Sequence, residues 1–408
     1  MFHKAIAELG QLRGISMNLH RVAGWFTASV CLAAMLVVGM PRPADAQFTW
    51  SGGGSTDNFT DAANWVNGVA PTTNSTFIFA GTTRLAPNNN LTLTGADNTL
   101  TFDSTAGAFA VGGGAIRMGA VTNNSSNLQT LNVSLRLNGT RTINTGTAGM
   151  SVSVLPLSTG ASARTLTKTG PSDLTLTFGS TYALINYGVN AGRLVVNNAA
   201  GTFSQGATTT IAAGTELVLA QPATANFTSA ITGAGLVRKT GAGSSTLSGV
   251  NTYSGGTLVE NGILTYGSDF VMAGSNGFTL TNAAAPVRGI DYGATTSSAG
   301  TLTYGGSLAL TLGGLLPAST TYDLFNFSGG TQAGSFSSIA ITGSYTTSLT
   351  NDGGGVWTGS SGDATFTFTE STGDFAVSVV PEPTSCIGLA ASLGLGTLVL
   401  RRRQSARD

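Results

Sequence analysis

Two groups of carboxylates in this sequence have a spacing that could support acid–base chemistry: Asp57 with Asp61, and Asp363 with Glu370 and Asp374. Two carboxylates suffice to hydrolyse a glycosidic bond, one as acid and the other as base or nucleophile. Each of the five, however, lies among Gly, Ser and Thr, the usual setting of solvated turn or strand-face acids. Other catalytic chemistry is excluded more firmly. Between Gln47 and Val380 there is no histidine and no cysteine, because His3, His20, Cys31 and Cys386 all lie outside that stretch. That leaves no Ser-His-Asp or Cys-His nucleophile, no ordinary zinc site and no disulfide. A β-eliminating enzyme would need a Lys or Arg base. The stretch has only Lys168 and Lys239, both inside a repeated motif, and eight arginines scattered along the chain.

Two glycine-rich segments carry less than they promise. Gly52–Asp57, GGGSTD, resembles the calcium-binding turns of some β-rolls, but Ser55 replaces a required glycine and the segment does not recur. Leu393–Gly396, LGLG, has no strand–turn–helix setting for a nucleotide. The reading is therefore no metal, no cofactor and no catalytic residue.

The elements that would position any site are strands. Only 9% of the 408 residues are charged, against roughly 25% in an average soluble protein. Glycine reaches 57 residues, and Thr, Ser and Asn fill most polar positions. From about 90 to 198, runs such as NLTLTG, NTLTFD, RTLTKTG and DLTLTFG alternate apolar and polar residues. A period of two puts one face inward and one outward. Glycine and asparagine interrupt these runs every 8–12 residues or so, which suits a sandwich, barrel or solenoid. Gln47–Val380 holds ten Lys and Arg against fourteen Asp and Glu, so no basic surface invites nucleic acid. Trp50 and Trp65, in a Gly/Asn/Asp-rich opening, are read as a cap over the first turn rather than as a sugar platform.

An internal repeat selects the solenoid. Lys168-Thr169-Gly170 recurs as Lys239-Thr240-Gly241, and Tyr182 as Tyr253. After a one-residue slip, Val189, Gly192 and Leu194 recur as Val259, Gly262 and Leu264; a partial copy keeps Gly214 and Leu217. Units of this size stack and share one core. The expected body is a right-handed parallel β-helix, with Thr columns and Asn ladders running between rungs. Its repeat positions are Lys239, Gly241, Asn251, Tyr253, Gly255, Gly256, Thr257 and Gly262. The stretch LVRKTGAGSSTLSGVNTYSGGTLVENGILTYG, from Leu236, resembles the autotransporter-associated, or passenger-associated, β-strand repeat. Ser245 departs from that pattern, where an inward leucine is expected. The resemblance implies a β-helical surface stalk, and it covers about 32 residues. Beyond residue 295 the texture changes to aromatics with Gly-Gly turns, and antiparallel strands are expected over 296–378.

Both ends read as targeting devices. Lys4, Arg13 and Arg21 precede an apolar run from Val22 to Met40, and Ala44 and Ala46 bracket Asp45. This is a signal peptide over 1–46, its helix cleaved after Ala46 to leave Gln47 first. At the other end stand Val380, Pro381, Glu382 and Pro383, and neither proline can donate to a ladder or sit inside a helix. The uncharged run 384–400 would form a transmembrane helix about 26 Å long, with Gly388, Ser392 and Gly396 on one small-residue face. Arg401, Arg402 and Arg403 then stop transfer. Over 379–408 the order of P-E-P, short apolar helix and arginine cluster resembles the PEP-CTERM sorting signal. The resemblance implies recognition and cleavage by an exosortase, a membrane protease, near Pro381–Pro383.

The function expected is that of a non-enzymatic, structural or adhesive protein of the cell surface or extracellular matrix. Rows of Thr, Ser and Asn would contact polysaccharide, with Trp50, Trp65, Tyr253 or Trp357 stacking on sugars. The alternatives are a carboxylate-based polysaccharide-degrading β-helix enzyme and a permanently tethered surface protein.

Overall fold

The computed structural model describes residues 46–72, 75–153, 164–178, 185–198, 201–203, 208–281, 286–314 and 319–380. The signal segment including Ala44, Tyr182, the residues from Pro381 onward, the helix face Gly388/Ser392/Gly396 and Arg401–Arg403 lie outside them. Among the described residues no helix is long and apolar enough to cross a membrane, and the only helical element is the three-residue 3-10 turn Ala62–Asn64.

The body is a β-solenoid-like stack of parallel ladders. The first ladder has ten strands, starting at Ala46–Trp50 and ending at Ala230–Gly233. A second runs in parallel from Asn88–Asn89 to Ser338–Gly343. A third holds six parallel strands from Gly201–Phe203 to Phe325–Asn326, and a fourth holds three from Phe270–Met272 to Thr331–Gly334.

Alternation makes the core. In strands such as Ser75–Phe79 and Ser307–Leu312 every second side chain is buried. In-register stacking then lines those side chains into columns. One column of the second ladder runs Val111, Leu131, Val152, Leu176, Val196, Leu219, Lys239, Val259, Phe278, Leu310, Ile341. Another, in the first ladder, runs Phe77, Leu100, Val121, Ile143, Lys168, Val189, Ile211. Each buried aliphatic side chain contributes about 1.5–3 kcal/mol, and each rung needs its neighbours to complete that burial.

The coil length explains where the sequence reading of the boundary goes wrong. Within the repeat one turn takes twenty residues, since Val237 faces Thr257. Later, Ser275 faces Ser307 and Ser307 faces Ser338. The longer turns change the texture after residue 295, but parallel stacking continues. Antiparallel pairing starts only where Ser338–Gly343 meets Thr347–Gly353. It then runs through Val356–Ser361, Ala364–Thr369 and Asp374–Val379 to Thr320–Asp323.

Aromatic clusters close the two ends of the stack. Trp50 and Trp65 meet edge to face at 5.1 Å, Phe59 packs on both, and Phe79 stacks on Phe102 at 5.0 Å. The loop after Trp50 folds back, so that the Val66 amide donates to the Thr49 carbonyl at 2.8 Å. It thereby occupies part of an edge that would otherwise pair with another chain. At the far end Tyr304, Phe325, Phe336 and Phe368 pack under the antiparallel strands. The tryptophans are thus caps, as their sequence setting implies. Phe79→Ala is expected to cost about 3–5 kcal/mol in a denaturant titration. The outward Thr101→Ala on the neighbouring rung should stay within about 0.5 kcal/mol.

Candidate functional site

The repeat positions form one structural device. Val237–Leu247 and Thr257–Tyr266 occupy successive rungs, with Lys239 opposite Val259 and Leu247 opposite Tyr266. Lys239 is fully buried in its apolar column. Its Nζ donates to the carbonyl of Gly241 and, at 3.5 Å, to that of Asn261. Lys168 repeats the geometry, donating to Gly170 O at 2.6 Å, Thr169 O at 3.2 Å and Thr145 Oγ1 at 3.1 Å. The shared Lys-Thr-Gly motif is therefore a buried ammonium that gathers the carbonyls of the turn following its own strand. Gly192, Gly214 and Gly262, matched across the three copies, all adopt positive φ, at 62°, 75° and 68°, where a side chain would be strained.

The other positions complete this interior. Asn251 accepts from the Ile231 amide at 3.0 Å and donates to Gly249 O at 2.7 Å. Tyr253, Thr257 and Tyr266 join their hydroxyls in a closed ring of 2.8, 2.8 and 3.0 Å. Phe270 stacks on Tyr266 at 4.4 Å. Gly241 and Gly255 leave no room for a Cβ, which would come within 2.1 Å of Gln221 O and 2.4 Å of Gly235 O. Gly256, at φ 110°, passes Ser275 O as closely. Ser245, the departure from the pattern, is buried and donates to Gln221 Oε1 at 3.0 Å. A leucine there would strand the buried glutamine.

The expected asparagine ladders take a different form. Asn98, Asn251 and Asn276 bond backbone groups of adjacent rungs rather than one another; Asn88 with Asn58 is a side-chain pair, at 2.8 Å. The threonine columns do form. On the outer face of the first ladder Thr101 lies over Thr122, Asn144 and Thr169. Beside them Thr142 lies over Thr167, Gly188, Thr210 and Thr232. Thr210 and Thr232 join hydroxyls at 3.2 Å. None of these outward positions is charged.

The stacking aromatics are a correction. Trp50, Trp65, Tyr253 and Trp357 are 0%, 2%, 2% and 6% exposed, so none offers a ring face to a sugar. Their indole N–H groups are spent inside, Trp65 on Phe59 O at 2.8 Å and Trp357 on Glu370 Oε1 at 2.9 Å. Three of the five candidate carboxylates are engaged elsewhere, and Asp363 and Asp374 lie apart. Asp57 pairs with Arg84 at 3.1 Å. Asp61 caps a turn, accepting from the Ser55, Thr56 and Ala63 amides, and these bonds hold its carboxyl below the usual range. Glu370 is buried and accepts from Ser335 Oγ, the Phe336 amide and Trp357. Asp374 opens its strand beside Thr369, while Asp363 sits at the other end of the same hairpin, about 20 Å away at 3.3 Å per residue. Among the described residues no group of three or more His, Cys, Asp or Glu could hold a metal ion.

At the ends, Ala46 and Gln47 are already in the first strand, opposite Ser75 and Thr76. The Val380 amide donates to Asp363 O at 3.0 Å, so backbone pairing reaches the residue before Pro381.

Residues 237–265 match the family model of the passenger-associated-transport-repeat. Comparison with curated proteins and with solved structures finds no match.

Burial pushes both lysines down from 10.5 to about 8, against the pull of Asp173 in the case of Lys168. Unfolded lysines titrate near 10.4. Between pH 8 and 10 the unfolded chain therefore binds more protons, and stability rises with pH. Above pH 10 the buried tyrosines reverse this, because burial raises Tyr253 and lifts Tyr266 and Tyr322 to about 12. The melting temperature is thus expected to climb from pH 8 to a maximum near 10, and the climb should flatten in a Lys168→Met/Lys239→Met variant. A flat wild-type profile would refute the buried-ammonium account.

Proposed function

We propose that this chain is an exported, non-enzymatic structural or adhesive protein of the cell surface or extracellular matrix. The observation that carries this reading is how the repeat uses its residues. Every consensus side chain between Lys239 and Gly262 is spent on holding rungs together, and what faces outward is mostly hydroxyls and amides, with the few charges tied into ion pairs such as Arg238 with Glu216 and Glu260. The match at 237–265 supports an exported surface protein, and the winding of the body would be that of a right-handed β-helix. The outer threonine columns would contact polysaccharide through hydrogen bonds, without aromatic stacking. The absence of enzymatic activity is supported by the separate partners of Asp57, Asp61 and Glu370 and by the distance between Asp363 and Asp374.

The termini fit processing at both ends. Cleavage near Ala46 would free the first strand, and backbone pairing that extends to Val380 supports a cut after the body, which would be the exosortase cleavage near Pro381–Pro383. The helix over 384–400 would tether the precursor until that cut. The test is the intact mass and terminal sequence of the protein recovered from separate host fractions. A body from Gln47 to near Pro381, found outside the inner membrane, is the expected result. A form that still carries Arg401–Asp408 in the inner membrane would mean a permanent tether instead.

A further inference from the structure

The outer face of the first ladder ends at a recess. Its column of Thr142, Thr167, Gly188, Thr210 and Thr232 gains one more rung beyond the last strand. There the Thr252 amide donates to Ile231 O at 2.8 Å and the Ser254 amide to Gly233 O at 2.9 Å, which sets Thr252 over Thr232. On the next turn Phe270–Met272 opens the fourth ladder instead, with Val271 opposite Thr303. Among the described residues no backbone hydrogen bond joins this strand to residues 250–254. Between the two lies a cavity of about 460 Å³, within the usual range of ligand pockets.

Three rungs line this recess, and alternation decides what each presents to it. Val250, Thr252 and Ser254 are exposed, while Asn251 and Tyr253 between them are buried. Asp269 and Val271 are exposed, while Phe270 and Met272 are buried. Thr303 faces the recess from the third rung. Val250 and Val271 are 68% and 55% exposed, on a face whose other outward residues are mainly threonine. One carboxylate stands at the edge: Asp269 Oδ1 accepts from the Thr301 amide at 2.8 Å. The chain thus holds two aliphatic side chains in water within a hollow rimmed by hydroxyls, and a ligand that covers them is favoured by their burial.

We propose that this recess, between residues 250–254 and 269–273, binds a segment of neutral polysaccharide. This rests on the polysaccharide-contact reading above and names its site and the glycan class. A sugar ring carries C–H groups on its faces and hydroxyls around its rim. The two valines match the faces. Thr252, Ser254 and Thr303 match the rim, each able to donate and to accept. Asp269 sets the charge, because its carboxylate accepts from a sugar hydroxyl but repels a uronic acid. Among the described residues that line the recess none is Lys or Arg. An extended peptide fits less well, since it docks by adding a strand to an open edge. Here Ser268 Oγ donates to Gly249 O at 2.9 Å and the Ser275 amide to Gly255 O at 3.5 Å. Both ends of the recess are therefore pinned to adjacent rungs, and a further strand, which needs about 4.8 Å on each side, has no room between them.

The test uses the full-length chain purified in detergent, with dextran, cello-oligosaccharides, polygalacturonate and unfolded casein as probes at one fixed salt concentration. At least one of the two neutral glycans should bind, and polygalacturonate should bind more weakly. Val250→Ser/Val271→Ser should weaken the neutral glycan about tenfold and leave the melting curve unchanged. Ile290→Ser, at an exposed aliphatic residue outside the recess, should have no effect. Thr252→Val, which keeps the shape and removes one hydroxyl, should cost roughly threefold. If the double variant does not fold, the single valine variants carry the test, each expected to lose roughly threefold. Unchanged neutral-glycan affinity in folded variants overturns the recess as the site and leaves polysaccharide contact elsewhere standing. Polygalacturonate bound as tightly overturns the neutral-glycan inference. Casein bound in place of the glycans, and lost in the double variant, makes the recess a peptide site and overturns the proposal. Binding to none of the glycans overturns both the proposal and the reading beneath it.

Discussion

In-register parallel pairing is the constraint on which everything else in this protein depends. Once Val237 must lie on Thr257 and Lys239 on Val259, every side chain is repeated above and below by the one in the same place on the next turn. Apolar residues then form columns without further specification. Any polar residue turned inward must find its partner within a rung or two, because the column offers no water. Lys168, Lys239, Asn251 and Ser245 all answer to that rule. Each is buried, and each hydrogen-bonds to a turn carbonyl, an amide of the previous rung or a neighbouring side chain.

The same constraint sets the cost of the ends. A parallel stack has an open hydrogen-bonding edge at each terminus, and such edges recruit other chains. Here an aromatic cluster with a folded-back loop closes one end and five antiparallel strands close the other. Large rings suit this role because a cap has a layer beneath it and none above, so each residue must bury more surface than an interior one. Trp50, Trp65 and Trp357 serve this purpose, and for that reason they are unavailable to a ligand. Recognition, if it is to occur on this body, falls to the outward half of each strand.

What the sequence disclosed follows from how local each signal is. Alternation is written residue by residue, so the strands, their inward sides and the stacked architecture were legible. So was the repeat, because lysine, glycine and asparagine at a rung corner each do something no other residue does there. The boundary at 295 misled because composition tracks the length and content of turns, whereas parallel or antiparallel pairing depends on which strand comes next in space. The tryptophans showed the opposite problem. The same rings can cap or stack, and only burial separates the two roles.

The meeting of Arg117 with Arg136 and Arg141 was illegible for a further reason. Arg136 and Arg141 lie nineteen and twenty-four residues after Arg117 in sequence, spacings that carry no motif. Turns of variable length, here interrupted by the short strand Leu135–Arg136 and a return at Arg141–Asn144, convert those irregular intervals into neighbouring rungs. A solenoid can therefore place like charges side by side with no periodic trace, and only the register reveals them. The core columns need every rung to agree, but an outward edge need not. Functional chemistry in such a stack is accordingly free to gather where the stacking is least regular.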